Sequence, residues 1–371
     1  MADELKNEFY EDYYKIVIED IPLIDVRSPK EHKKGSFPNT VNLPLMNNEE
    51  RHKVGLCYSE SGHDAAVELG HKLVSGELKE KRIEKWVKFI EKNPRSILFC
   101  ARGGLRSEIT QKWIYNHTNN IVPRLKGGFK AFRNFFIKNL KPENIDLDFI
   151  TLSGYTGSGK TILLNKLNNS IDLEGIANHR GSGFGNYINP QPTPINFENN
   201  LAAEIIKKQS ADYKNVLIED ESRHIGRIFI RKSLFKFFSK SPVILLEVPI
   251  EKRVVNIFKE YVIHSQKKYI DYFGKKDGLD KWYNFISHSF DKVKKRLGGA
   301  KHKELTAILK NAYNIQIKNN DFKLHKKWIK GLLENYYDPL YDHHLKNLKR
   351  EILFKGKFSE VLKFIKSNFN N

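Results

Sequence analysis

The chain has 371 residues, of which 40% are hydrophobic and 12% aromatic, and these values are typical of a globular protein with two domains. Its formal charge of +20 and its pI near 9.6 favour polyanionic partners, although lysines that merely coat the surface would give the same values. Two cysteines exclude a disulfide scaffold, and no apolar run approaches the ~20 residues that cross a membrane. The polar, acidic start is unlike a signal peptide, so a cytoplasmic protein is expected.

The chain up to about residue 140 alternates strand-like and helix-like stretches. IPLIDVRSP and RSILFC are typical of buried strands. The stretch AAVELGHKLVSGELKEKRIEKWVKFIEKN between them, and SEITQKWIYNH after them, carry apolar residues at helical spacing. This alternation predicts an α/β domain with a parallel sheet over residues 1–140.

A second α/β domain is predicted over residues 141–250, followed by a basic, mostly helical extension over residues 251–371. The linker IKNLKPENIDLD leads into the strand FITLSG, and KNVLIED and PVILLEVP are further apolar strands. The extension holds 27 Lys and Arg against 13 Asp and Glu, so 14 of the 20 excess positive charges lie in it. It is therefore the candidate surface for a polyanion.

Cys100 follows the second buried strand of the first domain, and a loop joins it to a helix. Gly103 and Gly104 let the loop curve so that its backbone N–H groups converge on the sulfur. The helix N-terminus and the guanidinium groups of Arg102 and Arg106 favour the thiolate, which is the reactive form of cysteine. These features predict a nucleophilic cysteine with two catalytic arginines beside it.

Two reactions use a cysteine loop of this kind, and its spacing alone does not choose between them. The run from Cys100 to Ser107 satisfies the C-x5-R-S pattern of protein phosphatases, in which the cysteine carries phosphate. In rhodanese-type sulfurtransferases the cysteine carries a persulfide instead. Phe99 stands where the phosphatases usually have histidine, and LIDVRSPKEHKKGSFPNTVNLP resembles the opening of a rhodanese domain. Sulfur-type chemistry is therefore the better-supported prediction.

GYTGSGKT matches the phosphate-binding P-loop pattern and lies between a predicted strand and a predicted helix. In such a loop, backbone N–H groups and the helix N-terminus bind phosphate oxygens, a lysine adds charge and a hydroxyl can bind Mg²⁺. The predicted phosphate-binding residues are Gly154, Gly157, Ser158, Gly159, Lys160 and Thr161. If Mg²⁺ is used, Thr161 and Asp220 are the candidate ligands; a solvated acidic loop at NVLIEDESR is the alternative.

The order of these blocks resembles the tRNA 2-selenouridine synthase family over roughly residues 20–345. The other blocks that carry the resemblance are LKGGFKAFR, DLEGIANHRGSGFG, QPTPINFEN, IEDESRHIG, RLGG and YYDPLYDHHL. One departure is SGFG, where the family pattern has a second serine. The resemblance implies a rhodanese-like domain with a parallel sheet, followed by an α/β domain of the P-loop NTPase type.

The resemblance also implies a transferase that converts the wobble 2-thiouridine of tRNA to 2-selenouridine. In the family, the sulfur is first alkylated by geranyl diphosphate, and selenium from selenophosphate then replaces the geranylthio group. Cys100 aligns with the cysteine that carries selenium as a perselenide. The P-loop then holds either geranyl diphosphate or a nucleotide. The diphosphate is favoured because the chemistry needs such a site and the sequence contains no second one.

Further candidate residues lie in the blocks that carry the resemblance. In DLEGIANHRGSGFG, His179 is a candidate proton donor and Arg180 a candidate phosphate ligand, unless this loop only binds its own backbone. In IEDESRHIG, Glu221 is a candidate catalytic residue and Arg223 a candidate phosphate ligand. Cys57 either relays selenium or is a packing residue.

The expected partners are tRNA, selenophosphate and geranyl diphosphate, with no membrane and no tightly bound cofactor. Lys and Arg of residues 251–371 would neutralise tRNA phosphates, and the aromatic residues of YYDPLYDHH either stack on an anticodon base or belong to a core. The oligomeric state is not indicated. Two other functions remain open: a C-x5-R phosphatase or rhodanese sulfurtransferase regulated by a nucleotide-binding P-loop domain, and a P-loop kinase with an inert rhodanese module.

Overall fold

Two α/β units make up the part of the chain that the structure describes. A computed structural model covers residues 8–369; one unit comprises residues 8–145 and 192–211, and the other comprises residues 146–191 and 212–369. Each unit is built on its own parallel sheet, which confirms the predicted fold class. Among the described residues, no helix is long and apolar enough to cross a membrane.

The first unit has a five-stranded parallel sheet with the strand order β1-β5-β4-β2-β3. Its strands are β1 (Phe9–Tyr10), β2 (Leu23–Asp25), β3 (Thr40–Asn42), β4 (Ile97–Phe99) and β5 (Arg124–Leu125). Its helices up to residue 145 are α1 (Tyr13–Ile18), α2 (Pro29–Lys34), α3 (Asn48–Leu73), α4 (Gly76–Lys92), α5 (Leu105–Thr118) and α6 (Gly128–Asn139).

Both faces of this sheet are covered, which explains why its central strands read as continuous apolar runs. On one face, Leu98 packs in a core with Trp86 of α4 and Ile114 of α5. On the other face, the ring of Phe99 packs against Phe37, which in turn contacts the phenylalanines of α6. Cys100 follows β4 directly, so it is buried at the carboxyl end of the central strand of the sheet.

The second unit has a five-stranded parallel sheet with the order β12-β11-β6-β8-β7 and a separate antiparallel hairpin, β9-β10. Its strands are β6 (Asp148–Gly154), β7 (Ser170–Ile171), β8 (Asn215–Glu219), β9 (His224–Ile225), β10 (Ile228–Phe229), β11 (Val243–Leu246) and β12 (Ile352–Gly356). Its first helices are α7 (Lys160–Leu164) and α8 (Leu173–Ile176). Strand β6 lies between β8 and β11, so the P-loop leaves the sheet where the strand order reverses, the usual ligand position in such folds.

Helix α9 (Pro194–Ser210) packs in the first unit, although the sequence boundaries at residues 140 and 250 place it in the second domain. It contacts α1 and α6. The side chain of Asn196 accepts a hydrogen bond from the N–H of Ser36 at 2.7 Å, and Asn199 donates to the Ser36 carbonyl at 2.6 Å. The two asparagines of the block QPTPINFEN thus bind the backbone of Ser36 in the first unit.

The C-terminal part of the second unit is mostly helical. Near its end the chain returns to the sheet as strand β12. The helices are α10 (Lys232–Phe238), α11 (Ile250–Ile257), α12 (Ser265–Phe273), α13 (Lys275–Leu297), α14 (Gly299–Asn319), α15 (His325–Leu332), α16 (Asp338–Lys346) and α17 (Phe358–Asn368). Trp282, Phe290 and Trp328 are buried in the core of this helical part. Strand β12 pairs in parallel with β11, and the side chains of α17 complete the sheet's core. The Lys-rich pattern did not predict this last strand.

Candidate functional site

Cys100 lies at the end of β4 and is enclosed by the first turn of α5. Its side chain is buried, and its Sγ lies 3.3 Å from the hydroxyl of Ser107 and 3.6 Å from the carbonyl oxygen of Gly104. Ser107 also donates a hydrogen bond to that carbonyl at 2.9 Å. The sulfur is therefore held at the N-terminus of a helix, where the backbone's partial positive charge stabilises an anion.

The block LKGGFKAFR braces this loop from the other side. The N–H of Phe129 donates to the carbonyl of Cys100 at 2.9 Å, and the N–H of Lys130 donates to the carbonyl of Ala101 at 3.0 Å. Gly128 has a φ of +57°, and a Cβ atom there would lie 2.4 Å from the Cys100 carbonyl oxygen. Only glycine allows this approach without moving the cysteine loop.

The Asp-Val-Arg turn at the end of β2 supports the same brace. The buried carboxylate of Asp25 accepts hydrogen bonds from Nε and Nη2 of Arg27 at 2.9 and 2.7 Å. The Arg27 guanidinium lies 3.8 Å from the ring centroid of Phe129, whose N–H holds the Cys100 carbonyl. The turn that resembles a rhodanese opening is therefore a positioning element for the cysteine loop.

The two arginines of the cysteine loop have different environments. Arg106 forms a two-point ion pair with Glu31, through Nη1 at 2.7 Å and Nη2 at 3.0 Å. Burial opposes ionisation of Glu31, but the hydrogen bonds and charge of Arg106 prevail and lower the pKa of its carboxyl to about 2. Arg102 is exposed. Arg106 is thus committed to an internal carboxylate, and a direct role for either arginine stays a prediction.

Cys57 lies within α3, five residues before a kink at Gly62, whose φ is +84°. It is partly buried and its thiol is free. Its role as a selenium relay stays a prediction.

The P-loop follows β6 and opens onto a cavity of about 530 Å³. Gly157 and Gly159 have φ values of +80° and +86°, and Lys160 donates to the carbonyl of Gly154 at 2.9 Å. The cavity is lined by Gly157, Ser158, Gly159, Lys160 and Thr161. The hydroxyl of Ser158 is buried and has no hydrogen-bond partner among the described residues. The loop has the form of an anion site whose polar groups are not all satisfied.

Arg180 lines the same cavity, so the structure brings this predicted phosphate ligand to the P-loop. Its Nε donates to Glu260 at 2.7 Å, and its guanidinium lies 4.1 Å and 4.8 Å from the ring centroids of Tyr187 and Tyr261. Its Nη1 atom is buried without a hydrogen-bond partner among residues 8–369. The sequence did not identify Tyr187 or Tyr261, because neither belongs to a motif.

Three glutamates crowd around Lys160 and Thr161. The hydroxyl of Thr161 donates to Glu219 at 2.7 Å, and Glu219 also accepts from the N–H of Glu174 at 3.1 Å. Burial raises the pKa values of Glu174, Glu219 and Glu221, and their mutual repulsion raises them further. The carboxylate beside Thr161 is thus Glu219 rather than Asp220, the residue that the sequence paired with it. In the described part of the chain, no group of three His, Cys, Asp or Glu residues has an arrangement suited to a metal ion.

Asp220 instead belongs to an ionic cluster with residues near the end of the chain. It accepts from Arg350 at 2.6 Å, from Ser153 at 2.5 Å and lies 3.0 Å from Nε2 of His344. Burial alone would raise the pKa of Asp220, but His344 and Arg350 hold it well below its usual range. The predicted Mg²⁺ role of Asp220 is therefore not supported by its contacts, which are with cationic groups and a hydroxyl.

His179 and Arg223, two further predicted site residues, do not line a common cavity. His179 is buried, its Nδ1 accepts the N–H of Gly181 at 3.1 Å, and burial together with the charge of Arg180 lowers its pKa. It does not line the P-loop cavity, so its contacts are those of a residue that shapes its own loop. Arg223 is exposed on the wall of a second cavity, which Glu221 also lines.

The cysteine loop and the P-loop together define an enzyme that joins a rhodanese-like domain to a P-loop domain. A family model described as Rhodanese-like domain matches residues 2–135, and one described as tRNA 2-selenouridine synthase AAA domain matches residues 147–371.

The particular family is identified by relatives that match this chain over nearly its whole length. A tRNA 2-selenouridine synthase of Sulfurovum sp. is 46% identical over 96% of this chain and 97% of its own length. Those of Shewanella piezotolerans and Hydrogenovibrio crunogenus are 43% and 42% identical, each over 96% of this chain and 98% of its own length. The solved N-terminal domain of a protein described as ATP/GTP binding, from Clostridium difficile 630, is 28% identical with a TM-score of 0.31, and covers 34% of this chain and 97% of that one. The chain belongs to the tRNA 2-selenouridine synthase family and is a tRNA-modifying transferase.

Proposed function

We propose that the chain converts the wobble 2-thiouridine of tRNA to 2-selenouridine in two steps. The second unit transfers a geranyl group from geranyl diphosphate to the sulfur, and the first unit then supplies selenium from selenophosphate through a perselenide on Cys100. The selenium of selenophosphate is at the selenide level, so loading it on the thiol consumes a two-electron oxidant, such as a disulfide, and releases phosphate. When the selenium bonds to C2 of the base, geranylthiol leaves, and a thiol reductant that cleaves the S–Se bond returns the two electrons. Family membership supports the overall conversion. Because the substrate is tRNA, the reaction belongs to the cytoplasm.

The observation that carries the geranyl step is the mixed chemistry of the P-loop cavity. Its lining combines the P-loop, Lys160 and Arg180 with the apolar side chains of Ile162 and Ile257 and with tyrosine rings, and polar side chains such as Asn256 line it as well. A prenyl diphosphate combines the same two chemistries, with two phosphates at one end and a hydrocarbon chain at the other.

The geometry also suits the leaving group. In the geranyl step the uridine sulfur attacks C1 of the prenyl chain, so that a C–S bond forms, the C–O bond breaks and the base loses its N3 proton to water. Diphosphate leaves with the electron pair of the broken bond. Lys160, the P-loop N–H groups and the unpartnered Nη1 of Arg180 are donors at the place where this charge develops.

The environment of Cys100 favours selenium transfer over the phosphatase alternative. A C-x5-R phosphatase needs its arginine free to bind the phosphate on the cysteine. Both terminal nitrogens of Arg106 are bound to Glu31, and the ion pair is partly buried. A phosphocysteine would have to break this pair, whereas a small perselenide anion needs only the helix N-terminus and the loop.

The remaining requirements follow from charge and residue type. The positive excess of residues 251–371 would bind tRNA phosphates in a salt-sensitive way. If a Mg²⁺ ion accompanies the diphosphate, the hydroxyl of Thr161 and the carboxylate of Glu219 are the residues that would hold it, because they already contact each other beside the P-loop. No tightly bound cofactor is required.

Equilibrium binding of geranyl diphosphate and ATP to the full chain and to Lys160→Ala tests the P-loop assignment. We expect geranyl diphosphate to bind the full chain more tightly than ATP, and the substitution to weaken its binding by about 100-fold. Lys166→Ala is the matched control, because Lys166 lies over the Phe358 ring and does not line the cavity. Unchanged affinity in Lys160→Ala would contradict the proposal, and preference for ATP would favour a nucleotide.

A further inference from the structure

A second cavity, of about 740 Å³, adjoins the P-loop cavity at Lys160. The residues that line both cavities are Thr156, Lys160, Gly181, Glu221 and Tyr337. A ligand in the second cavity would therefore face a P-loop ligand across the lysine side chain. The volume is within the range of pockets that hold a small molecule or a single nucleotide.

Aromatic side chains form part of the wall of the second cavity. Phe235 of α10 and Tyr341 of α16 line it. The Tyr341 hydroxyl lies 2.9 Å from the hydroxyl of Ser153, and its ring lies 4.3 Å from the ring centroid of Tyr155. These contacts hold the Tyr341 ring in place, so a planar base could stack on it at low entropic cost.

The charges around the second cavity favour an anion at its mouth. Arg223 and Lys349 are exposed on its wall, and in the described part of the chain neither forms an ion pair. The negative charge of Asp220 is already balanced by Arg350 and His344.

The geometry points to the second cavity as the site of the wobble nucleotide, with its base against Tyr341 and Phe235 and its flanking phosphates at Arg223 and Lys349. In this position the C2 substituent of the base faces Lys160, on whose other side the P-loop ligand lies. The nature of the base rests on the proposed function, but binding in this cavity requires no prenyl diphosphate. The aromatic residue Tyr341 of YYDPLYDHH then acts as a stacking surface, whereas its neighbour Tyr337 packs against the helical core.

Photo-cross-linking locates the base directly. The probe is an anticodon stem-loop with 4-thiouridine at the wobble position, irradiated with the full unsubstituted chain in the absence of geranyl diphosphate. We expect cross-linked peptides that contain Tyr341 or Phe235. Cross-links confined to other parts of the chain would overturn the proposal.

Two arginines of the same hairpin segment provide a matched pair for the phosphate contact. Arg223→Gln removes a charge on the cavity wall, and Arg227→Gln removes one in the exposed turn of the hairpin, outside the cavity. We expect Arg223→Gln to weaken binding of the stem-loop about 10-fold and to lower its salt dependence by roughly one phosphate contact, with little change in Arg227→Gln. Equal effects of the two substitutions would indicate general charge attraction and would overturn the site.

These measurements separate the site from the proposed function. If the P-loop bound a nucleotide instead of geranyl diphosphate, the cross-links to Tyr341 or Phe235 would still appear. If the cross-links lay elsewhere, the affinity for geranyl diphosphate and its loss in Lys160→Ala would remain.

Discussion

The cysteine loop and the P-loop are both turns between a strand and a helix that can bind an anion, but their surroundings satisfy them differently. Beside Cys100, Arg106 is paired with Glu31 and Arg27 with Asp25. Beside the P-loop, buried polar atoms such as Ser158 Oγ and Arg180 Nη1 lack a partner among the described residues. The two arginines Arg106 and Arg27 are therefore bound to carboxylates of the protein itself, whereas a ligand in the P-loop cavity could supply the partners that Ser158 and Arg180 lack.

This difference matches the two proposed tasks. A site that carries a covalently bound atom needs a fixed sulfur, and the paired charges around Cys100 give it a rigid frame. A site that binds and releases diphosphate needs donors that are free until the ligand arrives. The substitutions below test each half of the comparison.

The largest effect is expected for Cys100→Ala. Without the sulfur there is no perselenide, so 2-selenouridine should fall to background while the geranylated nucleoside accumulates. Mass spectrometry of nucleosides after incubation with thiolated tRNA, geranyl diphosphate and selenophosphate measures both products. Formation of 2-selenouridine by this variant would show that Cys100 is not the selenium carrier. Cys57→Ala, run alongside, decides between a relay, which loses product, and a packing residue, which does not.

Gly128→Ala tests whether the brace of the cysteine loop matters. The new Cβ would clash with the Cys100 carbonyl, so the loop must shift, and we expect the selenium step to slow roughly 100-fold with geranylation retained. Gly76→Ala is the control, because Gly76 has a similar φ of +53° and a Cβ there meets no atom within 4 Å. If both variants lose selenium transfer equally, backbone strain rather than displacement of the loop explains the loss.

Arg180→Met tests the unsatisfied half of the comparison. Loss of a buried charged donor should weaken geranyl diphosphate binding roughly 30-fold, as measured by calorimetry, with little effect on the selenium step from already geranylated tRNA. Lys268→Met is matched to it, since Lys268 also lies over the Tyr187 ring but does not line the cavity. Equal weakening in both variants would mean that the affinity for geranyl diphosphate depends on positive charge near Tyr187 and not on a hydrogen bond from Arg180 to the ligand.

The smallest effect is expected for Glu31→Gln, and it depends on pH. The pKa of Glu31 lies at about 2, below its ordinary value of 4.5, so its ion pair stabilises the fold above that ordinary value and is lost as the pH falls toward 2. We expect the variant to lose about 1–2 kcal/mol of unfolding free energy at pH 7, after allowance for partial exposure, and little near pH 2. Urea unfolding at both pH values measures this, and a difference that does not shrink in acid would contradict the ion pair.

The sequence identified the local features of both sites because their residues are neighbours in the chain. The P-loop is one continuous motif between a strand and a helix, and the cysteine loop is another. The partner of Thr161 was harder to identify, because Glu219 reaches it only through the pairing of β6 with β8, and the sequence pointed to the adjacent residue, Asp220. The same holds for Tyr261 beside Arg180, which lies in a helical stretch with no motif.

Helix α9 shows a second limit of sequence patterns. Its apolar spacing and its Thr193 cap, which accepts from the N–H of Asn196, are enough to indicate a helix. They do not indicate which core receives its buried face, which includes Phe197 and Ile205. The segments before and after it in the chain belong to the second unit, so its position in the sequence predicted the wrong domain for this helix.

The place of α9 in the chain also determines when the first unit can finish folding during synthesis. The ribosome must make residues 146–191 of the other unit before the helix that covers α1 and α6 appears. Until then the N–H and carbonyl of Ser36 lack Asn196 and Asn199, and an apolar face stays open on the nascent chain. A fragment cut at residue 145 would keep this face permanently, so the rhodanese-like unit is best expressed with residues 192–211 supplied, for example as a fused segment.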